Sequence, residues 1–423
     1  MHHLRDFKSF RDSGVDLFRH FGLLIGKNGS GKSNAIEGIE LLAELAQGRP
    51  LYEISDVRRG NGSFQVRGGL PACSRHGTTA FSLGLAGTIG FMGRPESFSY
   101  EMTIETRAQP RFALESLDVG RRTLFSAAAA LGRPDMLDVR FDNFAQGGNK
   151  PHESLAADRS VLSRYDQFTL ERPKLRHASR AVRMIREYLR ASFVFDPQPK
   201  LMRAYERIGN RVLTRDGSNL SAVLYALRTG TEQEQATLSR IVERVRQVPE
   251  EPFEDVDFVT TVLNDVMLSF TAGGQGTDAR LLSDGTLRCL AVLTAVETVA
   301  QRSRVILEEF DNGLHSSRVG GLAAAISETA ERRHLSVLCT THNPATLNAL
   351  TREQLEGVVL CIHESEHRAS RMVRLLDLPR SDVLLERGAL GDLVSRRALE
   401  EHLMRDYEAS QKQRLHEWLE SLP

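Results

Sequence analysis

The sequence has few cysteines, and their spacing excludes two classes of protein. Only 4 of its 423 residues are cysteine, and they lie far apart in the chain, at Cys73, Cys289, Cys339 and Cys361. A small disulfide-stapled domain needs a dense set of cysteines, and a zinc module needs closely spaced pairs. The four residues therefore predict reduced thiols in a cytoplasmic protein.

Net charge and long apolar runs are also missing. The 55 basic residues balance the 55 acidic ones, so no overall field attracts the chain to nucleic acid or to a membrane surface. No apolar run approaches the roughly 18 residues that span a bilayer. The opening stretch MHHLRDFKSFRDSG is polar and charged, which is unlike a secretory signal. With 41% hydrophobic residues, the chain has ample apolar surface for one large globular domain or two.

A glycine-rich loop, GKNGSGKSN, occupies residues 26–34. It matches the pattern G-x-x-x-x-G-K-[ST], in which loop N–H groups surround phosphates, the lysine reaches the β and γ phosphates, and the hydroxyl binds Mg²⁺. The alternative is a surface turn rich in glycine and serine. We expect the nucleotide to contact Gly26, Asn28, Gly29, Ser30, Gly31, Lys32, Ser33 and Asn34, with Ser33 as a metal ligand.

The flanks of this loop favour the nucleotide interpretation. FGLLIG before it predicts a short buried strand, and SNAIEGIELLAELA after it predicts a helix. The apolar face of that helix consists of Ile36, Ile39, Leu42 and Ala43. The unpaired N–H groups and the positive dipole end at the start of such a helix stabilise bound phosphate.

A second chemical element lies about two thirds of the chain length further on. In RVILEEFDNGLH, an apolar strand leads directly into Glu308 and Glu309, which predicts a metal-binding and water-activating pair rather than a solvated acidic pair. A compact GTPase or kinase would place these acids much closer to Lys32. The nucleotide domain must therefore be split by a large insertion.

Two further stretches accompany the acids. LLSDGTLRCLAVLTAV predicts a polar turn followed by a helix with Leu287, Leu290 and Leu293 on one face. LSVLCTTHNP predicts another buried strand, ending at His342. Because parallel strands present their carboxyl ends along one sheet edge, Lys32, Glu309 and His342 are expected to converge there. The alternative for His342 is a hydrogen-bonded core histidine.

The four motifs, in this order, resemble the ATP-binding-cassette ATPases of the SMC, RecF and OLD branch. More narrowly, LLSDGTLR and EEFDNGLH resemble bacterial ATPases of antiphage systems such as PARIS and Septu. The resemblance covers roughly residues 1–120 and 275–365. It implies ATP and Mg²⁺, with Lys32, Glu309 and His342 as catalytic residues and Glu308 as a metal ligand. FKSF resembles the family's first strand, whose residues near Lys8 and Ser9 would flank the base.

The resemblance also implies assembly. In this family the signature turn caps the ATP of a second protomer, so Ser283 and Gly285 predict a homodimer or a larger homo-oligomer. One departure is Glu308, where the family has aspartate. Since Mg²⁺ demands near-ideal octahedral geometry, the longer side chain predicts slow turnover. The glutamine-loop residue is open, with Gln65 and Gln109 both in the first lobe.

The expected fold class is α/β, a split ABC-type P-loop domain with a mixed sheet, flanking helices and a helical insertion. The expected divisions are a first ATPase lobe at 1–120, a mostly helical insertion at 121–274, a second lobe at 275–365 and a helical tail at 366–423. Within the insertion, SRIVERVRQV and DFVTTVLNDVML predict amphipathic helices, and LTRDGSNLSAVL a turn that caps a helix. The sequence has no sustained heptad repeat of the kind that predicts a long coiled coil. Two further apolar faces are predicted. The face of the second insertion helix consists of Val259, Val262, Leu263 and Val266, and the face of the tail consists of Leu415, Trp418, Leu419 and Leu422.

One basic stretch stands out in the insertion. ERPKLRHASRAVRMIREYLR places four arginines along one helical face, at Arg176, Arg180, Arg183 and Arg190. This stripe fits nucleic-acid phosphates, an acidic partner protein or a solvated face paired with neighbouring acids.

Three functions remain open from the sequence. The first is an ATP-operated sensor or clamp of antiphage defence that controls a separately encoded nuclease or toxin, because the chain has no nuclease-type acidic or metal pattern. The second is a RecF-like DNA-binding ATPase of repair. The third is a scaffold with structural ATP, for which Glu308 is the support.

Overall fold

The computed structural model describes residues 1–54, 65–107, 109–145, 149–168, 173–248, 254–364, 367–396 and 398–399. The chain divides into two compact units and crosses between them several times. The first unit comprises Met1–Leu17, Gly26–Ser192 and Cys361–Met372, and the second comprises Phe18–Ile25, Phe193–Leu360 and Val373–Pro423. The described residues contain no helix that is long and apolar enough to cross a bilayer.

The strands of the described residues are numbered in chain order. They are β1 His2–Phe7, β2 Phe10–Val15, β3 Gly22–Ile25, β4 Ala80–Phe91, β5 Arg94–Glu105, β6 Arg111–Val119, β7 Arg122–Ala130, β8 Arg133–Phe141, β9 His152–Ala156, β10 Ser192–Phe195, β11 Glu206–Arg207, β12 Asp255–Thr260, β13 Asp265–Ala272, β14 Gln275–Asp278, β15 Arg304–Leu307, β16 Ser336–Thr340, β17 Val358–Glu364 and β18 Ala369–Arg374.

The α-helices of the same residues are α1 Lys32–Ala46, α2 Val161–Arg164, α3 Arg176–Arg190, α4 Leu220–Arg228, α5 Glu232–Arg246, α6 Asp284–Thr298, α7 Ser316–Arg333, α8 Pro344–Asn348, α9 Arg352–Leu355, α10 Ser381–Glu386 and α11 Leu390–Ser395. The predicted helices after the glycine-rich loop and after the polar turn are confirmed as α1 and α6. The four residues predicted for the apolar face of α1 are all buried.

The first unit contains a run of strands in the order β18-β2-β1-β4-β5-β6-β7-β8-β9. From β2 to β9 the neighbours pair antiparallel, as expected for consecutive hairpins. The β4–β5 turn consists of Met92 and Gly93, both with positive φ, the geometry that matches the twist of a two-residue hairpin. Helix α1 lies against β1, and a Cβ on Gly38 would come within 2.7 Å of Leu4.

The second unit contains strands in the order β10-β15-β16-β3-β17. Strand β3 is completely buried and pairs in parallel with β16 on one side and β17 on the other. Strand β15 pairs in parallel with β16. A small antiparallel sheet, in the order β11-β13-β12 with β14 beside β13, belongs to the same unit. The predicted strands before the glycine-rich loop, before the acids and before His342 are thus confirmed as β3, β15 and β16.

The segment 121–274 is not mostly helical, and this prediction was wrong. It begins with three strands, β7 to β9, that extend the antiparallel run of the first unit. DFVTTVLNDVML forms parts of β12 and β13 and the turn between them, where Asn264 has φ 61°. Its valines and leucine imitate helical spacing, but Val262 is 100% exposed and only Val266 of the predicted face is fully buried.

Other predictions for the insertion and tail fared differently. Most of SRIVERVRQV lies in α5, which begins after a capping box at Thr231, and its apolar residues Ile241, Val242 and Val245 are buried. The turn in LTRDGSNLSAVL is confirmed, since Asp216 accepts the Ser218 N–H, but the Asn219 side chain accepts from Thr214 instead of capping α4. The tail segment begins with β18, and the predicted stripe from Leu415 to Leu422 lies outside the described residues.

A charged cluster in the first unit joins the β1–β2 turn to helix α1. Lys8 Nζ donates to Glu37 Oε2 at 2.6 Å, and Arg67 Nε donates to Glu37 Oε1 at 2.9 Å. Burial raises the pKa of Glu37, but the hydrogen bonds from Arg67 and Lys8 outweigh burial and hold the pKa below its ordinary value. The ammonium of Lys8 is therefore engaged in an ion pair with Glu37 that stabilises the fold. The expected contact of this turn with the base of a nucleotide stays a prediction.

We expect Glu37→Gln to lower the free energy of unfolding by about 2 kcal/mol, because the buried Lys8 loses its charged acceptor. Since the folded-state pKa of Glu37 is lowered, its contribution is complete above pH 4.5 and is lost as pH falls through the folded-state pKa. Urea titrations of wild type and variant, from about pH 7 down to about pH 3, measure how the difference between their free energies of unfolding changes with pH.

The matched control is Glu44→Gln on the same helix, where a half-exposed ion pair with Arg49 contributes less than about 1 kcal/mol. A difference in free energy of unfolding between wild type and Glu37→Gln that stays constant as pH falls would contradict a stabilising role for the ionised Glu37 carboxylate.

Candidate nucleotide site

The glycine-rich loop, in the first unit, adopts a shape that only glycine permits at two positions. A Cβ on Gly26 would lie 2.3 Å from the backbone oxygen of Cys361. Gly31 has φ 113°, and a Cβ there would lie 2.9 Å from the hydroxyl oxygens of Ser9 and Ser370. The first and last glycines of the motif are therefore required by the packing of the loop on β17, β18 and the β1–β2 turn.

The concave side of the loop is suited to an anion. Lys32 Nζ donates to the backbone oxygens of Gly26 and Lys27, at 2.5 and 3.1 Å, which places the ammonium against the loop itself. Gly31 is the N-cap of α1 and supplies no side-chain acceptor for the first N–H groups of that helix. The hydroxyl of Ser30 is buried without a hydrogen-bond partner among the described residues. Together these donors fit a phosphate chain.

The remaining loop residues differ in their surroundings. Asn28, Gly29 and Ser33 are exposed, and the space beside Gly29 is open. Asn34 is already engaged, since its Nδ2 donates to Ser9 Oγ at 2.9 Å and its Oδ1 accepts from Arg67 at 3.2 Å. Nucleotide contact by Asn34 stays a prediction, as does the identity of the glutamine-loop residue.

In the second unit, Glu308 follows strand β15. Its N–H donates to the backbone oxygen of Phe195, and its Oε1 accepts from Arg215 Nη2 at 3.2 Å. The Arg215 contact was not foreseen, because the segment around it was interpreted only as a turn. The Glu308 carboxylate is partly exposed, and carboxylate oxygens are hard ligands of the kind that Mg²⁺ prefers.

Glu309 and His342 lie close together in the second unit. The Nδ1 atom of His342 is 3.7 Å from Glu309 Oε1, and the two side chains are 58% and 51% exposed. Asn312 Nδ2 lies 3.3 Å from Glu309 Oε2. The exposure of His342 contradicts the core-histidine alternative. The backbone of Glu309 is left-handed, with φ 45°, and its N–H donates to Thr340 Oγ1 at 2.9 Å.

A buried carboxyl group connects the loop after β15 to the loop after β16. Asp311 accepts from Thr341 Oγ1 at 2.6 Å and from the hydroxyl of Thr346. Burial raises the pKa of Asp311, and the two hydroxyl hydrogen bonds oppose that rise. Asp311 was not singled out in the sequence. Its hydrogen bonds tie the loop that begins at Glu308 to the loop that contains His342.

The signature turn makes capping and packing contacts within its own chain. Ser283 is the N-cap of α6, and its Oγ accepts the Thr286 N–H at 3.1 Å. A Cβ on Gly285 would lie 2.4 Å from the backbone oxygen of Gly313. Contact of Ser283 and Gly285 with the nucleotide of a second copy stays a prediction. Leu281, next to the turn, is 77% exposed.

The structure thus groups Glu308, Glu309 and His342 within the second unit and holds the loop residues within the first. The described residues contain no cluster of three or more histidine, cysteine, aspartate or glutamate side chains that could hold a metal on its own. The convergence of Lys32 with Glu309 and His342 stays a prediction.

Comparison with known proteins places the fold and the family. The chain is 33% identical over 81 residues to the DNA replication and repair protein RecF of Picosynechococcus sp., which is 19% of this chain and 20% of that protein. The matched stretch therefore spans about a fifth of the length of this curated relative.

Among solved structures, an Smc head bound to the C-winged helix domain of ScpA aligns with a TM-score of 0.50 at 12% identity, covering 88% of this chain and 96% of that one. An SMC head domain from Thermotoga maritima aligns at 12% identity with a TM-score of 0.41, covering 88% of this chain and 97% of that one. The first likeness is one of fold, the ABC-type P-loop fold of SMC heads.

A family model described as "AAA domain, putative AbiEii toxin, Type IV TA system" matches residues 23–348, which include the glycine-rich loop, both acids and His342. The chain belongs to this family of AAA-domain ATPases.

Proposed function

We propose that this protein binds and hydrolyses ATP, and that ATP-dependent dimerisation makes it a clamp that controls a separately encoded effector in antiphage defence. The observation that carries the proposal is the glycine-rich loop. It holds Lys32 and the start of α1 in a phosphate-binding arrangement, and a Cβ at Gly26 or Gly31 would obstruct that arrangement.

The proposed binding step uses the loop and α1. The N–H groups of the loop and of the first turn of α1 would surround the β and γ phosphates, with Lys32 neutralising their charge. Ser33 and Glu308 would be the oxygen ligands for Mg²⁺, which would offset the charge on the phosphates.

The proposed hydrolytic step uses Glu309 and His342. Glu309 would orient and deprotonate the attacking water, since a carboxylate held by a neighbouring amide and imidazole is restricted to few orientations. His342 would hydrogen-bond the γ phosphate as its charge changes. The hydroxyl–carboxylate bonds of Asp311 hold both loops during this step.

Dimerisation is supported by the surroundings of the signature turn. The turn opens α6, whose N-terminal dipole favours an anionic group, and exposed Leu281 lies beside it. A second copy placed there would have its nucleotide capped by Ser283 and Gly285. Closure on ATP and release after hydrolysis is a population shift driven by the γ phosphate.

The defence role and the separate effector, a nuclease or a toxin, rest on the resemblance of LLSDGTLR and EEFDNGLH to the PARIS and Septu ATPases. The description of the matched family names a toxin–antitoxin system, which agrees with a role in defence.

A second candidate function is DNA binding of the RecF type, and helix α3 favours it. Its outer face exposes Arg176, Arg180, Arg183 and Arg190, and none of the four has an ion pair within the described part of the chain. The opposite face is buried against neighbouring elements, α1 among them. Unpaired arginines spaced one or two turns apart along one helical face fit backbone phosphates. A scaffold with structural ATP is the third candidate.

We expect Glu309→Gln to lower the ATP turnover number by at least about 100-fold without weakening ATP binding, because the variant retains every phosphate contact and loses the general base. Lys32→Ala should instead abolish binding of a fluorescent ATP analogue. Equal turnover of wild type and Glu309→Gln would remove Glu309 from the mechanism.

The clamp itself is tested by mass in solution with and without ATP and Mg²⁺. Glu309→Gln should shift fully to a dimer or larger assembly when ATP is added, because closure occurs and release does not. Lys32→Ala serves as the control that cannot close. A mass that never changes with ATP would refute the clamp and leave a scaffold whose nucleotide is structural.

Nucleic-acid binding by α3 is tested with Arg180→Gln combined with Arg183→Gln. If these arginines hold phosphates, affinity for duplex DNA falls and the slope of its logarithm against log salt decreases by about 2. The matched control combines Arg94→Gln and Arg133→Gln, two exposed arginines on strands of the same unit. Equal slopes in all three proteins would show that α3 is a solvated face.

A further inference from the structure

Arg288 is a buried cation on the signature helix that the nucleotide mechanism does not yet use. It lies in α6, a little more than one turn after Ser283, and is 8% exposed. Arginine is rarely buried to this extent unless it is paired, because an isolated charge loses its hydration. Its position in the second unit therefore requires an explanation.

The contacts of Arg288 point toward the candidate general base. Its Nη1 donates to the backbone oxygen of Glu309 at 3.3 Å, and its Nε has no acceptor among the described residues. Burial lowers the pKa of Arg288, while the charges of Asp196, Glu309, Asp284 and Asp311 oppose that change.

Asp196 brings a second carboxyl group to the same place. It follows strand β10, and its Oδ2 accepts from Gln198 at 3.2 Å. Burial raises the pKa of Asp196, while Gln198 and the charges of Arg288 and Arg215 lower it. The charges of Asp196 and Arg288 therefore act on each other, while the hydrogen bond of Arg288 is to the loop after β15.

The backbone that Arg288 contacts is strained. Glu309 has φ 45°, a conformation that side chains with a Cβ rarely adopt unless their surroundings impose it. Its N–H is held by Thr340 Oγ1, and its backbone oxygen accepts both the Asn312 N–H and the Arg288 guanidinium. Thr340 reaches this backbone from strand β16, and Arg288 reaches it from the signature helix.

We propose that Arg288 is a positioning residue for ATP hydrolysis, which holds the left-handed backbone of Glu309 from the signature helix and so aims the Glu309 carboxylate. The inference rests on the proposed ATPase function. It assigns Arg288 no contact with nucleotide, so its removal should impair the hydrolytic step and leave ATP binding intact.

The test compares Arg288→Lys and Arg288→Met with wild type. A misplaced catalytic group costs on the order of 10- to 100-fold in rate, so we expect a turnover number about tenfold lower for the lysine variant and about 100-fold lower for the methionine variant. The KM for ATP should stay within about twofold of wild type, because the phosphate contacts are untouched. The lysine variant is intermediate because it keeps the charge and loses the planar fork.

A second measurement does not depend on hydrolysis. In nucleotide-free protein, backbone amides of the loop around Glu309 and Asn312 should exchange with deuterium faster in Arg288→Met than in wild type, because the loop loses its tether to α6. The amides of β3 should be unaffected.

The matched controls are Arg333→Lys and Arg333→Met. Arg333 is also partly buried and donates to the backbone oxygens of Val296 and Val299 at the other end of α6, away from Glu309. These variants should lose thermal stability but keep turnover per folded molecule and loop exchange at wild-type values.

Equal effects of the Arg288 and Arg333 substitutions on turnover and loop exchange would overturn the inference, since both arginines would then be merely structural. Arg288 variants that turn over ATP as fast as the wild type would overturn the inference as well. If the wild type hydrolyses no ATP, the proposed function fails, and unaltered loop exchange in Arg288→Met would separately refute the tether.

Discussion

The parallel pairing of β3 between β16 and β17 is the constraint on which the second unit depends. A four-residue segment near the start of the chain is completely buried between strands from its last quarter. Closing so long a loop costs conformational entropy, although the cost grows only slowly with length. In return, the carboxyl ends of β15, β16 and β3 lie at one edge, and the loops bearing Glu309 and His342 begin there.

Pairing alone does not fix those loops, because a loop after a strand can take many conformations. Three side-chain hydrogen bonds do so within the second unit: Thr340 to the Glu309 N–H, and Thr341 and Thr346 to Asp311. A buried carboxyl group with a raised pKa is costly unless its acceptors are satisfied, so this polar network has few alternative arrangements. The exposed Glu309 and His342 side chains therefore project from a rigid base.

The elements of the site were predictable from sequence because their signals are local. Buried strands, glycine geometry and helical periodicity gave β3, β15, β16, α1 and α6. The β12–β13 hairpin was missed because its apolar residues imitate helical spacing. In the structure these residues are divided between two strands and the four-residue turn that joins them. Arg215 and Cys361 belong to no motif. Arg288 and Asp311 lie within LLSDGTLR and EEFDNGLH, but their roles depend on neighbours that only folding brings to them. Their contacts are products of tertiary structure and leave no periodicity to detect.

The glutamate at position 308 illustrates how such a tertiary contact changes a sequence argument. Judged alone, the extra methylene displaces the carboxylate from where aspartate would hold Mg²⁺. In the structure the longer side chain reaches Arg215, and the pair is only partly buried. Such a pair contributes about 0–1 kcal/mol, far less than the desolvation that would lock a buried one. A pair this weak does not oppose the proposed Mg²⁺ contact, so the glutamate by itself is weak support for a scaffold whose ATP is purely structural.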